Sequence, residues 1–97
     1  MPLDLVPSLP STDLPRSQPQ VGDFVRELRQ LMGYTQEQFS TLIGVSFSTL
    51  NRWEKGHMQP SPLALKQIES VVDKLSQVSN LTLQAGRKAL LEKYVSH

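Results

Sequence analysis

Between Phe47 and Arg52 the chain sets out an aromatic ring, two hydroxyls, an amide and a guanidinium on Phe47, Ser48, Thr49, Asn51 and Arg52. Such groups donate and accept hydrogen bonds without a neighbouring base to activate any of them, so their chemistry is recognition rather than bond making. The rest of the chain adds no catalytic set. There is no cysteine, the two histidines are His57 and the terminal His97, and no His-x-x-x-His, Gly-x-Ser-x-Gly, Walker loop or GxGxxG occurs. Acidic residues are spread singly, without a catalytic pair. No catalytic residue, cofactor site or metal site is therefore expected, and zinc in particular lacks ligands.

A short helix is the element that would present such a row. The stretch Thr35 to Gly56 reads TQEQFSTLIGVSFSTLNRWEKG, which predicts two short amphipathic helices around a tight turn, Gly44-Val45-Ser46. Thr35 with Gln38 three residues on has the spacing of a capping box, and Phe39, Leu42 and Ile43 fall on one face. Ser46 caps the second helix, which turns Leu50 and Trp53 inward and leaves Phe47, Ser48, Thr49, Asn51 and Arg52 outward. Trp53 is the only tryptophan, and its spacing from Leu50 favours core packing over base stacking. Gly44 stands where the chain must leave a helix sharply, a position that favours a residue tolerant of positive φ. This is the layout of a helix-turn-helix, whose second helix enters a DNA groove.

The flanks supply the scaffold. Residues 1–20 hold five prolines, which block helix interiors and central strands, so they read as a disordered or extended arm; Leu3, Leu5, Val6, Leu9 and Leu14 in it offer contacts to a partner or to the domain. A first helix is predicted from Val21 or Asp23 to Met32, with Val21, Phe24, Val25, Leu28 and Met32 on the 3.6-residue period and Gly33 as its stop. After Gly56, the loop His57-Met58-Gln59-Pro60 leads to Ser61 as a cap and Pro62 at the first position of a fourth helix, striped by Leu65, Ile68, Val72 and Leu75. Residues 76–80 form a polar break. Leu83, Leu90, Leu91, Tyr94 and Val95 then point to a fifth helix within 81–95, of about three turns, with Gly86 in its middle. That helix either closes the core of the monomer or meets its counterpart in a second subunit. The expected fold is all-α, with a helix-turn-helix domain over 21–76.

Ninety-seven residues with 38% hydrophobic content fit one small helical domain, with no run long enough to span a membrane. The opening MPLDLVPSLP lacks the basic start of a secretory signal, and a cytoplasmic protein is the simplest expectation. The net charge is +1. From Gln20 to Ser76, Arg26, Arg29, Arg52, Lys55, Lys66 and Lys74 are balanced by Asp23, Glu27, Glu37, Glu54, Glu69 and Asp73. Any affinity for DNA must then come from a few well-placed contacts and from two copies of the domain acting together.

The Thr-Gln opening, the Gly-Val-Ser turn, the Arg-Trp-Glu-Lys-Gly exit and the Pro-rich loop before the fourth helix together resemble the DNA-binding domain of the phage repressor and Cro type (XRE-like), from about Val21 to about Leu75. The resemblance implies a five-helix repressor-like fold and a sequence-specific transcriptional regulator that binds a palindromic operator in double-stranded DNA as a homodimer. It puts Phe47, Ser48 and Arg52 where base contacts are made, with Arg52 able to pair with O6 and N7 of guanine and Phe47 offering either apolar contact to a thymine methyl or packing that orients the helix. Ser48 and Asn51 are each candidates for a base or for a phosphate. Gln36, in the first turn of the preceding helix, matches the phosphate clamp, and Ser46, Thr49, Lys55, His57 and Gln59 are further backbone candidates. Arg29 and Glu54 match positions that pair. Small relatives also serve as antitoxins, for which the arm and the fifth helix would face a toxin, and the same fold can act purely as a protein-interaction module.

Overall fold

Three helices of the domain start on a hydroxyl that binds the backbone of its own first turn. In the computed structural model, which describes residues 14–95, Thr35 accepts from Gln38 N while the Gln38 side chain accepts from Thr35 N, a complete capping box. Ser46 accepts from Thr49 N and Ser61 from Ala64 N, the latter ahead of Pro62 at the first helical position. Asn80 does the same for Leu83 N at the start of the last helix. The helices are α1 (Gln20–Leu31), α2 (Gln36–Ile43), α3 (Phe47–Glu54), α4 (Pro62–Leu75) and α5 (Leu81–Tyr94), with no strand among the described residues. Gly44 turns the chain from α2 towards α3 with φ 77°, a conformation that strains any residue bearing a Cβ.

One core joins all five helices. Trp53, Phe24, Phe39, Leu28, Leu50, Ile68, Val21 and Val25 form its centre, each such side chain contributing about 1.5–3 kcal/mol by leaving water. α1 packs on α3 and α5, α2 on α3 and α4, and α4 on α5. The first and fourth helices bury the stripes expected of them, except that Met32 is only partly covered. Leu42 departs from expectation at 46% exposed. The buried face of α2 centres on Ile43 with Phe39 and Ser40 at its flanks, and this rotation turns Leu42 outward.

The expected arm, residues 1–20, lies outside the described residues as far as 13, and the remainder is not a free tail. Leu14 is buried in the core, Gln18 is bonded to the domain, and α1 already begins at Gln20. Proline bars this segment from a helix interior without barring its side chains from packing. α5 is a turn longer than expected. It lies on the monomer's own core through Leu90, with Tyr94 edge-on to Phe24 and Arg87 Nε donating to Val72 O at 2.9 Å. Gly86 serves this approach, since a Cβ there would run into the side chain of Leu31. Among the described residues no helix is long and apolar enough to cross a membrane, and no cluster of three His, Asp or Glu could hold a metal ion.

Candidate nucleic-acid interface

α3 has two faces of opposite character. Leu50, Trp53 and Glu54 are buried, whereas Ser48 and Arg52 are exposed and Phe47 is 48% exposed. Four-residue spacing puts Phe47 beside Asn51 and Ser48 beside Arg52, giving two adjacent stripes on the outer side of the helix. Asn51 and Thr49 are half-buried at the edge of this surface. Among the described residues nothing pairs with the Arg52 guanidinium, so its planar fork is available for a bidentate partner. Trp53 lies on the inner face. No hydrogen bond reaches its indole Nε1 among the described residues, and its role is packing.

The carboxyl end of α3 is held by three residues of α1 and by Gln18 just ahead of it. A Cβ on Gly22 would overlap Trp53 O, so the two backbones approach as closely as only glycine permits. Gln18 Nε2 donates to Trp53 O at 3.0 Å and to Met58 O at 2.7 Å, while its Oε1 accepts from Gly22 N at 3.1 Å. Arg26 donates to Glu54 O at 2.8 Å and is itself held by Asp23. Arg29 meets the Glu54 carboxylate with Nε at 2.8 Å and Nη2 at 3.0 Å, an ion pair whose side chains are 15% and 4% exposed. The hydrogen bond to Glu54 raises the Arg29 pKa above its ordinary value. Arg29 also donates to Tyr34 O at 3.0 Å, binding the loop ahead of α2 into the same junction.

Gln36 stands in the first turn of α2 with its amide directed at α3. Its Nε2 donates to Glu54 Oε1 at 3.1 Å and to Asn51 Oδ1 at 3.3 Å, so the proposed clamp residue and one proposed reader are joined. Ser46 shares a hydroxyl network with Thr49 Oγ1 at 2.9 Å and Ser48 Oγ at 3.4 Å at the amino end of α3. Lys55, His57 and Gln59 follow α3 on the exposed loop. Gln18, Gly22 and Arg26 were not singled out in the sequence. Only Gly22, in an otherwise regular helical period, carried a signal of close approach.

Residues 25–78 match the Helix-turn-helix family (HTH_3). The chain is 36% identical over 52 residues to YazB of Bacillus subtilis, described as an uncharacterised HTH-type transcriptional regulator; the aligned part is 54% of this chain and 75% of YazB. No solved structure matches. The family match spans α2, the turn at Gly44, α3 and the whole of α4, the elements that build and brace the outward face of the second motif helix. On these grounds the chain belongs to the helix-turn-helix family, a family of DNA-binding transcriptional regulators.

Proposed function

We propose that the protein is a sequence-specific transcriptional regulator that inserts α3 into the major groove of a palindromic operator and binds it as a homodimer. The observation that carries this reading is the outer surface of α3, where Phe47, Ser48 and Arg52 stand exposed on a helix whose other face is locked into the core. Arg52 and Ser48 read bases, Phe47 contacts a thymine methyl, and Lys55 with the first turn of α2 grips phosphates. The family is not enzymatic, and a cytoplasmic location follows from the reading.

Dimerisation is the companion of weak charge. Arg26 and Arg29 are consumed by Asp23 and Glu54, which leaves Arg52 and Lys55 as the cations on and just after α3. Two copies double those contacts and double the bases read. The outward side of α5, with Leu81 80% exposed and Ala85 exposed a turn later, supports a contact between copies. Selection of bound sites from a random duplex library tests the reading. We expect an inverted repeat with half-sites about 34 Å apart, one helical turn, and sedimentation of the full chain as a dimer that Ala85→Arg dissociates. An asymmetric single site bound by a monomer would refute the dimer. Because α5 also covers Phe24, a substitution on its outer side is a cleaner probe than its removal.

A further inference from the structure

The orientation of the Asn51 amide is set from inside the domain. A primary amide has the same outline either way round, so its partners determine which end is nitrogen. The Glu54 carboxylate, in its two-point ion pair with Arg29, can only accept. Gln36 therefore has to turn Nε2 towards it, at 3.1 Å. The same nitrogen reaches Asn51 at 3.3 Å, and a donor there obliges Asn51 to answer with Oδ1. A chain of fixed polarity thus runs from α1 through Glu54 and Gln36 into the recognition helix.

We infer that Asn51 is a specificity-determining residue that reads with its donor end alone: with Oδ1 turned back to Gln36, it presents Nδ2 to the groove and selects guanine over adenine. Guanine offers two neighbouring acceptors, O6 and N7, to such a donor. The two-point pairing of asparagine with adenine needs Oδ1 and Nδ2 directed at the base together. Arg29, Glu54 and Gln36 are positioning residues for this choice, since each acts on Asn51 through the next. The inference rests on the DNA-binding reading above and adds to it a base identity at one step of the half-site. That step lies within reach of the stripe that Asn51 shares with Phe47.

Site selection from a random duplex library, run on the full chain and three variants, tests it. In the wild type one base pair is expected to favour guanine over adenine, and Asn51→Ala should abolish that preference alone. Asn51→Asp still accepts from Gln36 but turns an acceptor outward, so the same position should shift to cytosine, whose N4 donates. Gln36→Met lowers affinity for all sequences and releases the Asn51 amide to turn; the guanine-to-adenine ratio at that position should fall by about tenfold or more. Should Gln36→Met fail to fold, the nearly isosteric Asn51→Asp carries the test. Wild-type sites with adenine at the Asn51-dependent position would overturn the inference, as would an Asn51→Ala profile unchanged at every base while Arg52 still governs its own. Recovery of no preferred site by folded wild-type protein would overturn the DNA-binding reading itself, and the inference with it.

Discussion

Gly22 of α1 and Trp53 of α3 meet backbone to backbone, with the Trp53 carbonyl filling the space in which any other residue at position 22 would carry its Cβ. Gln18 bonds both partners, donating to that carbonyl and accepting from Gly22 N. Arg26 and Arg29 fasten the next residue, Glu54, by its backbone and its carboxylate. α3 is therefore anchored at its carboxyl end, and its amino end, with Phe47 and Ser48, projects from that anchor. A helix of eight residues has little stability of its own, so its direction is decided by these contacts.

Replacing Gly22 with alanine should push α1 away from α3. The obstructing atom is a backbone oxygen with no rotamer to escape into, and overpacking of this kind costs about 1–3 kcal/mol. Thermal unfolding of Gly22→Ala should show the loss, and affinity for selected DNA should fall further than the shift in stability alone accounts for. An unchanged melting temperature would mean that the two helices separate without penalty.

Arg29→Ala should be more damaging than its partly exposed position implies, because it strands a carboxylate that is only 4% exposed. Breaking a buried pair from one side costs about 3–5 kcal/mol, whereas replacing both partners by apolar residues is often nearly neutral. The double change Arg29→Met with Glu54→Leu is expected to be more stable than either single change in urea unfolding. If the double variant loses the sum of the two singles, the pair is not acting as a unit. The double variant also cuts Gln36 loose from its acceptor, so it should regain stability without regaining base preference.

The starts of α2, α3 and α4 were legible in the sequence because each rests on local chemistry, whereas α1 starts without a side-chain cap and offered no such mark. Thr35, Ser46 and Ser61 cap their own first turns, and Gly44 adopts the positive φ that its place in the turn demands. The pair Arg29 and Glu54 was legible through resemblance, and Trp53 through its spacing. What escaped was contact between distant residues. Gln18 sits among prolines and reads as tail, yet its partners lie 35 and 40 residues away. The coupling of Gln36 to Asn51 joins two residues that look independently solvent-facing, and only the approach of α2 to α3 reveals it. Leu42 fell outside the core because one helical face admits several apolar stripes until a neighbour selects among them.

Arg52 and Lys55 should separate reading from gripping. Arg52→Ala is expected to lower affinity for the selected site by about 1–3 kcal/mol and to relax preference at one base pair. Lys55→Ala should weaken all duplexes alike and reduce the salt dependence of binding by about one counterion per domain. Competition binding at two salt concentrations distinguishes them. Equal loss on specific and random duplexes for Arg52→Ala would remove it from the reading set.

Tyr94 and Glu27 should make the attachment of α5 sensitive to pH at both extremes. The Tyr94 hydroxyl donates to the Glu27 carboxylate, which Lys93 also contacts at 3.0 Å. The hydrogen bond from Tyr94 holds the Glu27 carboxyl below its ordinary value, with Lys93 adding to the effect against the opposing influence of burial. Burial, then the bond to Glu27, pushes Tyr94 up from 10.0 to about 12. For Glu27 the folded form has the lower pKa, so its contribution is present above the ordinary carboxylate range and lost as pH falls through the folded value. For Tyr94 the folded form has the higher pKa, so its contribution is complete below 10.0 and lost as pH rises towards about 12. Tyr94→Phe removes the shared bond, and its destabilisation relative to wild type should be greatest at neutral pH and shrink towards both ends. Urea midpoints of the two proteins measured across that range check this. Equal stability of the two proteins at every pH would show that Tyr94 acts through its ring against Phe24 alone, which phenylalanine retains, and a carboxyl titration of Glu27 followed by NMR in Tyr94→Phe should then remain where it was instead of rising.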